Sequence, residues 1–356
     1  MLDINKNTKT MKVKNLILAM SVGALALGMS SCENKDKAFP DYDGGTNVYF
    51  AYQYPIRTII LGDMTTMDNS MDNQHRFQIY ATFGGTYKGR NIDVDVQVDK
   101  SLVDGLTFDN GDPVRVLPDS YYTLSSKTIR ISGSHQGCID VQLSDEFFND
   151  PLSVGNNYVV PLVITNATGV DHIKTGTPNE EGTSPARQDK DSWNVAPMDY
   201  TLYLVNFINK YDGNYLRRGT DVITTSSGTT TEERKAEYVE YDEVIKATTR
   251  SLNSVVLPIT NLKVGSSVVT CDILLTFDGS DQCTITSATK GYTVTGTGEF
   301  KTKSEKKAWG DKDRDGLYLH YTINLGSVQY KVEDILVARD RGEASSVREF
   351  AVSYNK

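Results

Sequence analysis

Two tryptophans and a run of alternating aspartates are the residues whose type and setting could do chemistry. Trp193 sits in Asp191-Ser192-Trp193-Asn194, and Trp309 sits in Lys307-Ala308-Trp309-Gly310-Asp311. Both segments are polar, so each ring is expected near solvent. An indole there can stack on the apolar C–H face of a sugar while flanking carboxylates and amides fix its hydroxyls. The competing reading is a ring that caps the end of a domain, and residue types alone leave both open. Asp311, Asp313 and Asp315, in Asp311-Lys312-Asp313-Arg314-Asp315-Gly316, match the D-x-D-x-D-G start of a calcium loop. Alternate carboxylates can converge on one hard cation, with glycine allowing the turn. The twelfth position, however, is Thr322 where a bidentate Glu belongs, and Lys312 and Arg314 add positive charge. A polar hairpin loop is the expectation, with calcium as the alternative.

Catalytic patterns are not found. His75, His135, His172 and His320 stand in no H-E-x-x-H, H-x-H or nucleophile-elbow setting. No Walker or dinucleotide-binding glycine pattern follows a strand and opens a helix. His320 lies in an alternating run and is expected to pack or to face water. Acidic residues are numerous, yet the chain lacks the large scaffold on which a glycosidase pair is usually held. The expectation is no catalytic residue, no cofactor and no enzyme activity.

The N-terminus carries an export signal. Lys12 and Lys14 precede an apolar stretch from Leu16 to Leu27, which is too short to span a bilayer and right for a signal peptide. Met11 is the expected start. Leu27-Gly28-Met29-Ser30-Ser31-Cys32 resembles the lipobox of bacterial lipoproteins, which implies cleavage after residue 31 and acylation of Cys32. Several acyl chains hold a protein on a membrane far better than one. Residues 32–45 (Glu33-Asn34-Lys35-Asp36 onward, with Pro40 and a Gly pair) read as a polar, disordered tether. Glu33 and Asp36 just after the cysteine resemble the surface-export signal of Bacteroidetes lipoproteins. The expected location is the outer membrane, facing the cell surface, with the periplasmic face as the alternative.

Composition narrows the partners. Loss of residues 1–31 removes four Lys and one Asp, leaving 33 basic against 45 acidic side chains and a net charge of −12. That argues against nucleic acid and anionic membrane surfaces, which call for basic patches. The 20 tyrosines, against 11 Phe and 2 Trp, suit strands and also suit polar ligands with apolar faces. Cys138, Cys271 and Cys283 remain after the lipobox. An oxidising compartment permits disulfides, but an odd count leaves a free thiol. In a simple hairpin about Asp278–Asp281, Cys283 would face Thr276 and not Cys271, so three reduced cysteines are expected.

The elements that must position these residues are strands. Asn47–Tyr52, Arg76–Thr82, Ile92–Val98, Thr128–Ser132, Ile139–Leu143 and Tyr158–Thr165 show β-branched and aromatic runs between Gly, Asn, Asp and Ser clusters. Ile92-Asp93-Val94-Asp95-Val96-Gln97-Val98 alternates cleanly and should bury its Ile and Val face. Asp99–Asp104 fits one helical turn. Residues 169–196 read as a long loop, because Tyr200–Phe207 still fits a strand of the first domain. The second half offers Ser254–Ile259, Val268–Phe277, Thr284–Ser287, Tyr292–Lys301, Gly316–Asn324 and Gln329–Ala338. Residues 232–248 fit helix or strand. The fold expected is all-β: an immunoglobulin-like sandwich over 46–208, then a β-barrel-like (lipocalin-like) or second sandwich domain over 209–356.

Several strings resemble a known family. Asp99-Lys100-Ser101-Leu102-Val103, Leu117-Pro118-Asp119-Ser120-Tyr121-Tyr122-Thr123-Leu124 and Tyr158-Val159-Val160-Pro161-Leu162 resemble a Bacteroidetes lipoprotein domain of unknown function. That domain is an immunoglobulin-like sandwich and also occurs at the N-terminus of family 18 endo-β-N-acetylglucosaminidases. Tyr211-Asp212-Gly213-Asn214-Tyr215 and the segment from Trp309 to Tyr321 are similar to its C-terminal companions. The resemblance implies a surface lipoprotein of a polysaccharide-utilisation system. A non-catalytic accessory is expected, binding an oligosaccharide or polysaccharide alongside outer-membrane glycan transporter components. No glycosidase domain follows, so that activity is not carried over. The alternative is a structural or adhesive surface protein acting through protein partners, without a sugar site.

Overall fold

The computed structural model describes residues 40–64, 67–342 and 348–355. Cys32, the signal segment and residues 32–39 of the tether lie outside the described residues. Asp43 onward forms one compact unit, and it is all-β.

The first half is a two-sheet sandwich. One sheet runs His172–Ile173, Asn47–Tyr49, Arg76–Gly84, Gln136–Leu143, Tyr122–Leu124. The other is built on Pro55–Ile60, Tyr200–Ile208, Tyr158–Thr168, Arg90–Val98 and Thr128–Ser134. Alternation dictates what lies between them. Ile92, Val94 and Val96 point inward as their spacing predicts, meeting Phe77, Ile79, Ile129, Ile131 and Val141 in one core. Lys100–Val103 is a 3-10 turn capped by Asp99, whose carboxylate accepts from the Ser101 amide. Tyr158–Thr168 opens with seven consecutive buried residues, because both of its faces are covered. The inner face joins the sandwich core. The outer face is covered by Leu102, Leu106, Phe108 and Phe350 around Val159, Leu202 and Leu204. A strand buried on both sides needs no alternation.

Phe350 arrives from the far end of the chain. Arg348–Glu349 pairs with Pro55–Ile56, and Val352–Tyr354 pairs with Leu106–Phe108. The stretch expected as one C-terminal domain, 209–356, therefore returns its last strands to the sandwich. Two- and three-residue strands carry too little pattern to be seen in sequence.

The second half is a closed barrel, which decides between the two expected architectures. Gly213–Thr225, Glu243–Ser251, Ser254–Val264, Ser267–Phe277, Gln282–Ser287, Thr293–Trp309, Lys312–Asn324 and Gln329–Asp340 run antiparallel, each beside the next. The last closes onto the first, from Tyr215↔Ala338 to Thr224↔Gln329. Closure removes the exposed edges. Gly228–Arg234 adds a hairpin to the free half of the first barrel strand. Val255, Leu257, Ile273, Leu275, Leu317, Leu319, Val332 and Leu336 fill the interior. The ambiguous stretch 232–248 resolves into the end of that hairpin, a 3-10 turn at Val239–Tyr241 and the strand Glu243–Ser251.

Cys138, Cys271 and Cys283 are free. Cys283 pairs with Phe277, not with Thr276 as a simple hairpin would have it. Asp281 takes a left-handed φ of 62° in the turn, which shifts the register by one pair.

Candidate functional site

The barrel strands Thr293–Trp309 and Lys312–Asn324 stay paired beyond the barrel wall and project as an arm. Its residues, 302–315, are so polar that a loop was the sequence expectation. The arm contains two register shifts, between Lys301 and Glu305 and between Glu305 and Trp309. Lys303 (φ 51°) and Lys307 (φ 46°) adopt left-handed backbone there. For residues with a Cβ, this conformation costs about 1–2 kcal/mol each. The aspartates offset that cost. Asp315 Oδ1 accepts from the Lys303 amide at 2.8 Å, and Asp313 Oδ1 accepts from the Lys307 amide at 3.1 Å. Asp313 Oδ2 also meets Lys306 Nζ at 3.0 Å, and Asp311 faces Lys307 Nζ at 3.4 Å. Asp313 and Asp315 thus alternate because they serve the two successive bulges of the facing strand, while Asp311 lies in the tip turn. Thr322 lies back in the barrel wall opposite Thr295. Among the described residues no group of three His, Cys, Asp or Glu is placed to hold a metal ion.

At the tip, Trp309 pairs with Lys312 across the turn and donates Nε1–H to the Ala338 carbonyl at 3.3 Å. Its ring remains half-buried. The Arg314 guanidinium carbon lies 3.9 Å from the ring centroid. Trp309, Arg314, Lys303, Lys312 and Arg339 line a cleft of about 460 Å³ that is closed on one side by Asp63 and Met64 from the sandwich. Arg341 fixes that seam. It donates to the carbonyls of Leu61 (2.8 Å), Lys210 and Asn209. Gly62 (φ 88°) is required here, since a Cβ would stand 2.4 Å from Lys210 Cβ.

Trp193 has a different setting. It lies in the short strand Trp193–Val195 against Thr177–Pro178, and its Nε1–H is bound to the Ala186 carbonyl at 3.0 Å. The loop it pins is further tied down by Arg187, bidentate on Asp199. A polar cleft of about 440 Å³ opens beside it, framed by Asn179, Glu180, Thr183, Ser184, Asp191 and Ser192. Trp193 is not in its lining. The structure therefore puts one of the two predicted rings in a cleft wall and uses the other as a strut. His320 faces outward on the barrel, 3.9 Å from Glu333.

Sequence reasoning missed Arg314, Asp63 and Met64. Arg314 was noted only as a charge adverse to calcium. Residues 63 and 64 reach the cleft through the seam between the halves, which leaves no local signal.

Comparison with known proteins places the chain. Residues 210–342 match a domain of unknown function, DUF5627, and residues 42–171 match a family described as an N-terminal domain. A Bacteroides ovatus protein of unknown function, solved by structural genomics, is 36% identical with a TM-score of 0.83, over 89% of this chain and 100% of its own. The chain belongs to that protein's family. A Bacteroides ovatus multidomain protein including DUF1735 is 11% identical with a TM-score of 0.39, over 85% of this chain and 99% of its own. An auxiliary nutrient binding protein from Bacteroides thetaiotaomicron is 12% identical with a TM-score of 0.31, over 80% and 91%. Both superpose poorly. No curated protein matches the chain.

Proposed function

We propose that this family member is a lipid-anchored, non-catalytic surface protein that binds glycans as an accessory of a polysaccharide-utilisation system. The observation that carries the reading is the Trp309 cleft. Its volume of about 460 Å³ is in the range of small-ligand sites, and a half-buried indole stands in its wall among hydrogen-bonding side chains. A sugar presents both faces such a wall can use, apolar C–H and polar hydroxyl.

A glycan array followed by calorimetry tests the site. Trp309→Ala is expected to weaken glycan binding by roughly 1–3 kcal/mol, the scale of a large apolar contact. Its melting temperature should also fall, because the ring bonds the Ala338 carbonyl and packs on Arg314, so affinity is compared where both proteins are folded. Trp193→Ala is expected to lower stability with affinity unchanged. Glycan binding that survives Trp309→Ala at full strength removes the cleft from the reading. Absence of binding to any glycan, with co-purification of a stable protein partner, favours the adhesive alternative. Tyr238 and Tyr241 are the observation behind that second reading. They form an exposed edge-to-face pair 6.1 Å apart beside exposed Val244.

The anchor is a separate proposal. Cys32→Ser is expected to abolish metabolic lipid labelling and to move the protein into soluble fractions. Labelling that persists in this variant would falsify the lipobox. Protease shaving of whole cells distinguishes the surface from the periplasmic face.

A further inference from the structure

Several arginines in this protein are matched to carboxylates. Arg57 meets Asp72, Arg130 meets Asp93, Arg187 meets Asp199, Arg218 meets Asp242 and Arg234 meets Asp221. The Arg314 side chain has no hydrogen bond or ion pair with any described residue, although its strand is paired at Glu305. Its contact is the Trp309 ring, 3.9 Å away, and its Nε is buried without a partner. Partial burial lowers its pKa, and the charge of Asp315 opposes that shift. The carboxylates beside it in sequence are committed elsewhere, Asp315 to the Lys303 amide and Asp313 to Lys306 and the Lys307 amide. Lys303 and Lys312, which line the same cleft, carry ammonium groups with no carboxylate partner among the described residues. The lining also carries Asp63, Asp313, Asp315 and Asp340; Asp313 and Asp315 are engaged as above and Asp340 by Arg339 and Asn214, so three cations stand against one uncommitted carboxylate, Asp63, among the described lining residues.

We propose that the Trp309 cleft selects acidic saccharides, with Arg314 reading a carboxylate or sulfate group while Trp309 carries the apolar face of the ring. The inference rests on the glycan-binding reading above and names its ligand class. Stacking on the indole uses the face of the guanidinium and leaves its in-plane N–H donors for the ligand. Those donors match the two oxygens of a uronate or the edge of a sulfate. Lys303 and Lys312 add positive charge without fixing geometry. A neutral sugar would offer hydroxyl oxygens to those donors but no counter-charge.

The test uses the mature protein at physiological salt. Oligogalacturonate supplies the carboxylate, sulfated galactan oligosaccharide supplies the sulfate, and neutral galacto-oligosaccharide is the control, set within an array holding other acidic and neutral glycans. A hydrogen-bonded charge at the site corresponds to about 10–100-fold tighter binding of the acidic ligands. Arg314→Met, which keeps a stem against the indole, should bring the acidic-to-neutral affinity ratio towards one. Arg314→Lys should restore only part of it, since the fork is lost. The uronate and sulfate arms say which anion the site reads. Binding confined to neutral glycans, or an acidic preference untouched in Arg314→Met with melting temperature preserved, overturns this inference and leaves the glycan reading standing. Binding to no glycan, acidic or neutral, overturns both.

Discussion

Asp334→Ala is expected to lower the stability of the barrel by about 3–5 kcal/mol, the scale for removing one partner of a buried ion pair. Asp334 lies inside the barrel at one level of its wall. Its oxygens accept from Arg217 Nε at 3.1 Å, Arg234 Nη2 at 2.7 Å and the Tyr321 hydroxyl at 2.7 Å. Burial, and then the charge of Asp334, push the Tyr321 hydroxyl well above the ordinary tyrosine range, so it stays a donor. The space is reserved by Gly219, whose Cβ would come within 2.0 Å of the Glu333 carbonyl and 3.0 Å of Asp334 Oδ1. Arg234 would keep Asp221 on truncation, at 2.8 Å on both oxygens. Arg217 would keep the neutral Tyr321 hydroxyl at 3.3 Å and, as its one carboxylate, Glu243, 3.5 Å away at its far end, and its side chain is 4% exposed. The cost therefore falls on Arg217 as an uncompensated buried charge. Denaturation followed on single-tryptophan variants checks it, because Trp309 reports the barrel and Trp193 the sandwich. The double variant Arg217→Met/Asp334→Leu should recover most of the loss, since both charges leave together. A double variant as unstable as the single one would mean that the pair, not the orphaned arginine, carries the energy.

How much of this was legible in the sequence depends on how local each cause is. Ile92–Val98 announced its buried face because alternation is a property of neighbours. The 3-10 turn at Lys100–Val103 was legible for the same reason. The barrel was expected only as one of two architectures, since the pairing of Tyr215 with Ala338 that closes it joins strands more than a hundred residues apart. The arm 302–315 was read as loop because a two-stranded ribbon with no core beneath it has nothing apolar to alternate. Asp311, Asp313 and Asp315 show the hazard of a spacing motif. The spacing that could converge carboxylates on a cation also places Asp313 and Asp315 opposite successive bulges, and only the partner strand decides. Trp193 and Trp309 were alike in sequence, each ringed by Lys, Asp and a small or amide residue. They differ in what their Nε1–H finds: a carbonyl of its own loop for Trp193, and one of the adjacent barrel region for Trp309.

The second large effect is expected at Asn209, where the sandwich passes into the barrel. Its side chain is almost wholly enclosed and fully bonded. Nδ2 donates to the carbonyls of Ser251 (2.8 Å) and Ser254 (2.9 Å), and Oδ1 accepts from the amides of Tyr211 (3.0 Å) and Asp212 (3.1 Å). Its own amide donates to Thr249 Oγ1 at 3.0 Å. Asp212, three residues on, accepts from the Thr249 amide and hydroxyl, so one corner of the barrel hangs from this turn. Asn209→Ala removes the side-chain partner of two carbonyls and of the Tyr211 amide, while the Asp212 amide keeps the Asn209 carbonyl at 3.2 Å, and unmatched buried polar groups cost about 1–3 kcal/mol each before any relaxation. A loss of about 3–4 kcal/mol is expected, near the upper end for a single substitution. Asn209→Asp is the sharper variant. It keeps the shape and the acceptor but turns an oxygen towards two carbonyls, so at neutral pH it should be no more stable than Asn209→Ala. Acidification that protonates the new carboxyl returns one donor and should recover part of the loss, whereas Asn209→Ala should gain nothing by the same change. The consequence reaches the cleft, because the Asn209 and Lys210 carbonyls are two of the three that hold Arg341, and the third, Leu61, leads directly to Asp63 and Met64. Asn209→Asp at neutral pH should therefore weaken ligand binding at Trp309 without touching any residue of the cleft wall. Unchanged affinity alongside a large loss of stability would show that the seam supports the fold but does not shape the site.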